Sequence, residues 1–242
     1  FNKTDLRQID FSEANLSGAD LSNANMMGAN LRNTNLTGAN LRGAFLRDTD
    51  ITGAKIEKEV LPQAILCRTT LVDGTLSECN LQGVSLQKVN LNKTDLRQID
   101  FSGANLSGVN LSGADLSKAN LVGANLRQTN LTGANLKRAT LHGVNFVGAS
   151  LEGANLTQAD FFLSNLIDSN LALANLTRAK LAGVDLSRAN LAGANLSEAS
   201  LAGADLTGAN LQGVDFYGAD LSGAVVTGAD LTDARADDDT VW

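Results

Sequence analysis

The chain has 242 residues, a net charge of −7, an apolar content of 43% and an aromatic content of 4%. The apolar content is enough for a continuous core, but so few rings indicate that the core is thin. The excess of acid excludes a basic footprint for direct binding to nucleic acid. No apolar run approaches the roughly 18 residues of a membrane-spanning helix, so we expect no membrane insertion and take a soluble, cytoplasmic protein as the default. The first residue is Phe1 and not Met, so we expect a piece of a longer protein.

Apolar residues recur at every fifth position from Phe1 onward, and only Ala236 breaks this register. In a helix, residues five apart are rotated by about 140°, and in a flat strand they alternate between faces, so neither element fits. The pattern fits a coil in which each pentapeptide forms a short extended side followed by a turn. The residue two before each leucine also points inward and is usually small, as a narrow core requires.

The remaining positions of each pentapeptide have the chemistry of turns. The residue before each leucine is mostly Asn or Asp, whose side chains hydrogen-bond local backbone. Of the 23 glycines, 22 lie two residues after the leucine, which predicts a turn with positive φ there. Gly74 is the exception and falls at a small inward position.

The phrases ANLSG at 104–108 and ADLTG at 204–208 resemble the A(D/N)LXX consensus of the pentapeptide-repeat family, and the resemblance covers essentially the whole chain. The resemblance implies an all-β fold, a right-handed quadrilateral β-helix of about 12 coils. We therefore predict one pentapeptide-repeat β-helix over residues 1–242. It has an irregular segment or loop at 55–76 and a non-repeat exit at 232–242.

Residues 1–54 are regular repeats that begin at an uncapped coil end. Such an end leaves strand edges unpaired, which invites pairing with another edge. Either upstream residues of a longer protein cap this end, or copies of the chain associate end to end.

The segment 55–76 keeps the apolar beat but loses the Asn, Asp and Gly of the repeat. Glu59 falls where a small buried residue should be, and burying a lone carboxylate is costly. One interpretation is a distorted coil or a protruding loop that contains Pro62. The other is a functional protrusion or a junction between two ancestral solenoids. The phrase LVDGT at 71–75 resembles the chain-terminal segment of many family members and supports the junction.

Residues 2–12 recur unchanged at 92–102, an offset of 90 residues. A second match, between 28–41 and 123–136, has an offset of 95. Neither offset is a multiple of twenty, so duplicated residues would lie on different faces of the coil. The duplication therefore indicates elongation of a scaffold.

No catalytic constellation is present, and we predict no enzyme activity, no cofactor and no metal site. His142 is the only histidine and lies at an outward position, which excludes a Ser-His-Asp triad and a multi-histidine metal site. Cys67 is predicted to be a surface thiol and Cys79 a small core residue.

Four apolar residues on one coil fall at outward positions and form the candidate partner site. Exposed hydrophobic groups of this kind mark contact surfaces, although scattered ones are normal. Phe45 and Ile65 also lie at equivalent outward positions and should stack on neighbouring coils. The candidate partner-binding residues are Phe162, Leu163, Ile167 and Leu173.

Residues 203–242 hold eight Asp and one Arg, a local net charge of −7. The apolar register is interrupted at Ala236, and counting onward in fives places Asp239 at an inward position. A run of acids at a chain end is more often solvated than a ligand site. The candidate acidic patch consists of Asp230, Asp233, Asp237, Asp238 and Asp239.

Two functions remain as hypotheses. The first is a non-catalytic structural scaffold that binds another protein of unknown identity, as a module of a longer chain. The alternative follows from the family resemblance, because some pentapeptide-repeat proteins imitate duplex DNA and act on type II topoisomerases. The acidic segment 203–242 fits a gyrase-directed DNA mimic, whereas the nearly balanced first half of the chain does not.

Overall fold

The computed structural model describes residues 1–87 and 89–242, which form two compact units. Unit 1 contains Phe1–Leu81 and residues 89–90, and unit 2 contains Gln82–Gln87 and Leu91–Trp242. In both units the sides of the coil meet through single parallel β-bridges, such as the one between Asn105 and Asn125. Residues bridged in this way are four pentapeptides apart, so each coil has four sides and each unit is a β-helix. The right-handed winding and the count of about 12 coils stay predictions.

Unit 2 has one parallel ladder on each side of its coil. The ladders are named here by their first residue, and each bridged level is a rung. They run from Ser85 to Val225, from Asp95 to Arg235, from Asp100 to Val241 and from Asn110 to Asp230. In unit 1 the corresponding ladders begin at Asp5, Asp10, Asn15 and Asp20.

The core residues lie at the positions that the five-residue register predicts. Leu106 and Leu131 are fully buried, and the small inward positions beside them hold buried alanines such as Ala104 and Ala134. Four inward threonines are buried as well, and each donates its hydroxyl to a backbone carbonyl on the preceding coil: Thr34, Thr49, Thr69 and Thr129. Thr129 Oγ1, for example, donates to the Leu106 carbonyl at 2.9 Å, and a buried hydroxyl needs such a partner.

The turns have the predicted left-handed backbone. Gly133 has φ +65°, and the non-glycine residues at the same repeat position also have positive φ, for example Arg138 at +58°. The coil therefore imposes this conformation whatever residue is present. The predicted side-chain bonds are also present: Asn125 Oδ1 accepts the backbone N–H of Arg127 at 3.2 Å.

The irregular segment of unit 1 leaves the coil after Lys55 and rejoins it at Ile65. Lys55 bridges Asn35, and Ile65 bridges Phe45. Between them lies the three-residue 3₁₀ helix Leu61–Gln63, with Pro62 inside it. Glu59 is exposed, so its carboxylate stays in water. Among the described residues, no helix is long and apolar enough to cross a membrane.

A β-hairpin at 69–77 ends the parallel pairing of one ladder in unit 1. Thr70 bridges Asp50 in parallel but Leu76 in antiparallel. The Ser77 N–H donates to the Thr69 carbonyl at 2.9 Å. Gly74 lies in the exposed turn of this hairpin with φ +83°, and not at an inward position as predicted.

Cys67 and Cys79 continue the register of this hairpin and are joined by a disulfide, with their Cα atoms 4.0 Å apart. The prediction for both residues was wrong, because Cys67 is buried and Cys79 is exposed. The five-residue register applies only while the chain winds in parallel. Once the chain turns back after Leu71, counting in fives no longer gives the direction of a side chain.

Phe45 was predicted to point into solvent, but it is fully buried. Its neighbour on the previous rung, Asn25, is buried as well and donates from Nδ2 to the Asn90 carbonyl at 2.9 Å. Residues 89–90 therefore lie over this side of unit 1. Ile65, the predicted stacking partner, bridges Phe45 and is half-buried.

The last coil of unit 2 is one residue longer than the four pentapeptides of a regular coil. Val241 bridges Asp220, and Asp237 Oδ1 accepts the Gly218 N–H at 2.9 Å. Trp242 then packs edge-on against Phe216, with ring centroids 5.9 Å apart. The predicted inward direction of Asp239 was wrong, because the added residue leaves it exposed.

Candidate functional site

The four predicted partner residues lie at three successive corners of one coil in unit 2. Phe162 and Leu163 form the turn after the Asp100 ladder, Ile167 begins the next turn, and Leu173 lies in the one after that. Phe162, Leu163 and Leu173 are 56%, 71% and 67% exposed, whereas Ile167 is half-buried. One flat partner surface cannot cover all three corners.

Leu163 and Leu173 have φ of +58° and +59°. The other non-glycine residues described with positive φ are all polar or charged. For an ordinary L residue this conformation costs about 1–2 kcal/mol. Since the coil imposes this conformation at every such turn, the unusual feature of Leu163 and Leu173 is an exposed apolar side chain where the other non-glycine residues are polar.

Phe162 belongs to a column that runs along one corner of unit 2. Gly123 N–H donates to the His142 carbonyl and Gly143 N–H to the Phe162 carbonyl, both at 2.8 Å, so the turns stack rung on rung. The rings of His142 and Phe162 meet edge to face, with centroids 5.8 Å apart. Val122, on the rung before His142, is 40% exposed.

On the following rung the column changes from an aromatic ring to Ala182. Because the alanine side chain is much smaller than the Phe162 ring, an open pocket of about 490 Å³ lies above it. We call it the Phe162 step. It is lined by His142, Asp160, Phe162, Lys180, Ala182 and Ser200.

The charges of the Phe162 step are paired with each other. Asp160 accepts from Lys180 Nζ at 3.0 Å and lies 3.2 Å from His142 Nε2. Burial by itself raises the pKa of Asp160, but the hydrogen bond from Lys180 and the nearby His142 outweigh it and hold the pKa below its usual value. The Phe162 ring and the Ala182 methyl therefore form the part of the step that is free to meet an apolar group.

Val122 and His142 were not predicted as neighbours of Phe162. Their spacing was the available signal, because positions that are one full coil apart in the sequence stack on each other. The prediction grouped apolar residues along one coil and did not compare successive coils at the same corner.

The five residues of the candidate acidic patch differ in their roles. Asp230 accepts from Gln212 Nε2 at 2.8 Å, and Asp237 accepts from the Gly218 N–H. The hydrogen bond from Thr232 lowers the pKa of Asp230, and the one from Gly218 lowers the pKa of Asp237. Asp233 lies in a turn with φ +57°. It is exposed, as are Asp238 and Asp239.

Within the described ranges, no group of three or more His, Cys, Asp or Glu residues is arranged to hold a metal ion. The carboxylates of the ladders are spread along the coil, and many of them accept hydrogen bonds from the turn that follows. Asp205, for example, accepts the N–H of Thr207 at 2.9 Å.

The family model for pentapeptide repeats matches eight copies along the chain. The residues that it leaves out include 67–78, which contain the whole hairpin. The matched ranges are 1–33, 29–66, 79–117, 119–158, 159–198, 169–208 and 199–235. None of the curated proteins compared with the chain matches it.

Three solved structures illustrate the similarity. HetL, a pentapeptide repeat protein involved in heterocyst differentiation regulation from the cyanobacterium Nostoc sp. strain PCC 7120, is 32% identical, and the match covers 100% of this chain and 93% of HetL with a TM-score of 0.47. QnrB1, a plasmid-mediated fluoroquinolone resistance protein, is 15% identical, with 97% and 90% covered and a TM-score of 0.35. Rfr23 from the cyanobacterium Cyanothece 51142 is 29% identical, with 51% and 90% covered and a TM-score of 0.24. From the family-model match, which extends over more than half of the chain, we conclude that the chain belongs to the pentapeptide-repeat family.

Proposed function

We propose that the protein is a non-catalytic scaffold that binds another protein at the Phe162 step. The observation that carries this proposal is a large, exposed aromatic ring beside a small apolar floor. Phe162 is 56% exposed, and on the next rung Ala182 leaves room for a side chain of a partner. Aromatic anchors next to a pocket are where protein interfaces concentrate their binding energy.

The surroundings of the step suit a protein partner. The backbone beneath it is held by rung-to-rung hydrogen bonds, so the wall is preorganised and little ordering is needed on binding. Asp160 and Lys180 form a polar rim around an apolar centre, the common arrangement of a protein interface. Leu163 extends the apolar surface at the same corner, in its strained conformation.

The proposal is tested with a photo-crosslinking amino acid at Ala182, in the full chain, exposed to an extract of the native cells. Ala192 is the matched control, because it also begins a turn of unit 2 but lies on another corner. We expect one protein to crosslink at position 182 and none at position 192.

The second arm of the test changes Phe162 to Ala in the chain that carries the crosslinker at 182. Phe162 is exposed, so this change leaves the core intact, and we expect the crosslinked product to disappear. Equal crosslinking at positions 182 and 192, or a product that persists without the ring, would contradict the proposal.

The alternative, a DNA mimic that acts on a type II topoisomerase, rests on the acidic end alone. Further up unit 2, Asp160, Asp168 and Glu198 are each paired with a Lys or an Arg. Duplex DNA carries its charge along the whole helix, so this distribution favours the scaffold. Titration of the chain into a gyrase supercoiling assay compares the two, and the matched variant carries Asn in place of the five acidic-patch residues. Inhibition that fades in the variant would favour mimicry.

A further inference from the structure

The turn that follows the Asp95 ladder stacks into a continuous corner of unit 2. Its two columns comprise the residues from Arg97 to Asp237 and from Gln98 to Asp238, in steps of one coil. The N–H of Gln98 donates to the Ser117 carbonyl at 3.0 Å, and this bond repeats on each following rung as far as Glu198 and Tyr217. On the next rung the Asp237 side chain accepts the Gly218 N–H instead. We call this surface the charged corner.

Charge is divided between the two ends of the charged corner. The first three rungs carry basic residues and no acidic ones in either column, whereas the last three rungs carry only acidic charges. The middle rungs hold the neutral Thr157 and Gln158 and then Arg178. The basic residues are Arg97, Lys118, Lys137 and Arg138, and the acidic residues are Glu198, Asp237 and Asp238.

Opposite charges within the chain offset these two ends only in part. At the basic end, Asp95 pairs with Arg97 at 2.7 Å, while Arg138 bonds the neutral Gln158. At the acidic end, Arg178 pairs with Glu198 at 2.7 Å, and Arg235 lies 3.5 Å from Asp215. Lys118, Lys137 and Asp238 are exposed, and none of the three forms an ion pair with another residue that the structure describes.

The two ends are too far apart to neutralise each other within one chain. Arg138 and Asp238 are five rungs apart, roughly 24 Å at ~4.8 Å per rung. This separation exceeds the Debye length of about 8 Å at physiological ionic strength. A second copy in the opposite direction would bring the opposite charges into contact.

We propose that two copies of this chain associate side by side and antiparallel through their charged corners. The twofold axis lies between the rungs of Gln158 and Arg178. It brings the rung of Arg97 against that of Asp237 of the second copy, and Lys118 against Tyr217. The rung of Lys137 and Arg138 then meets that of Glu198.

Each of the three rungs at the basic end therefore faces an acidic rung or an aromatic ring, and Arg178 faces the neutral Gln158. A parallel arrangement would instead place like charges together. The contact is isologous, so the same surface serves both copies and the assembly closes as a dimer.

The interface is narrow, with a length of about 34 Å from the first to the last of its eight rungs, and its charges are exposed. We therefore expect a weak dimer that dissociates at high salt concentration. Because the Phe162 step lies on the next corner of the coil, the dimer leaves that step open and does not depend on the proposed function.

Sedimentation velocity of the full chain tests the dimer at about 20 mM and about 500 mM salt, concentrations that change the Debye length severalfold. We expect dimer at low salt and monomer at high salt. Lys137→Glu with Arg138→Glu, or Glu198→Lys with Asp238→Lys, should weaken the dimer at least tenfold. An equimolar mixture of these two variants should restore it, because the reversed charges match again.

The matched control is Arg42→Glu with Arg127→Glu, two exposed residues outside the charged corner. It changes the net charge as much as the basic reversal does and should leave the dimer unchanged. The orientation is tested by mixing Lys118→Cys and Tyr217→Cys, which should form an intermolecular disulfide that Lys118→Cys alone does not. A monomer at low salt, a dimer that resists both reversals, or crosslinking of Lys118→Cys with itself would overturn the proposal.

Discussion

Asp220 pairs with Val241, which lies one residue further along the chain than the regular spacing of four pentapeptides would place its partner. The additional residue is absorbed in the turn at 236–240, where Asp237 takes the place of a backbone acceptor for Gly218. The ladder therefore continues beyond the point where the sequence register ends.

Acid should loosen this exit turn. The hydrogen bond from Gly218 lowers the pKa of Asp237 in the folded chain. A carboxylate with a lowered folded pKa stabilises the fold above its unfolded value, about 3.9, and that contribution is lost as the pH falls through the folded pKa. The protection of the Leu221 and Val241 amides, measured relative to their intrinsic exchange rates, should therefore fall below about pH 4. Asp237→Asn keeps the acceptor oxygen and should remove this acid step, whereas an unchanged step would assign it to other carboxylates.

Replacing Cys67 and Cys79 by Ala should loosen the hairpin of unit 1. The disulfide closes a loop with a sequence separation of 12, and loop closure of this length contributes about 3 kcal/mol to stability. Hydrogen exchange should accelerate over 65–79 while the ladders of unit 2 keep their protection. Equal acceleration in both units would show that the bond supports more than the hairpin.

Leu163→Gly should stabilise unit 2 by about 1 kcal/mol, because glycine adopts positive φ without strain. The matched change is Gly153→Leu, at an equivalent turn with φ +62° and no atom within 4 Å of an added Cβ. That change should cost a similar amount through backbone strain alone. Urea titrations give both values, and shifts of the same sign for the two variants would contradict the strain assigned to Leu163.

Leu131→Ala should destabilise unit 2 by about 3 kcal/mol, because it leaves a cavity in a core that is only one side chain thick. The neighbouring Thr132→Ala removes an exposed hydrogen bond to Ser150 and should cost less than about 1 kcal/mol. Thermal unfolding followed by circular dichroism separates the two variants. Similar melting temperatures would contradict the assignment of inward and outward positions.

Much of the fold could be predicted because the same pattern of apolar, small and turn residues recurs in nearly every pentapeptide. The inward leucines, the small inward alanines and the positive φ of the turn position all follow from the five-residue register, as Leu106, Ala104 and Gly133 illustrate. Each of these residues interacts with its own or the adjacent coil, so local pattern is sufficient to place it.

The errors lie where the chain leaves that register. Cys67 and Cys79 meet because the hairpin reverses the chain, and Asn90 accepts a hydrogen bond from Asn25, which precedes the buried Phe45 on the same ladder. These contacts depend on where irregular segments travel, which a periodic pattern does not encode. The candidate site was predicted in part: Phe162 was identified, but its neighbours Val122 and His142 were not.

The constant spacing of the bridges also bears on how the chain acquires its structure. Each new coil has to close a segment of four pentapeptides onto the coil before it, however long the protein is. The entropy of closure depends on the length of the closed segment, so added coils should not slow the growth of a nucleus already formed. On the ribosome, each completed coil could serve at once as the template for the next coil. Folding would then keep pace with synthesis from the first coils onward.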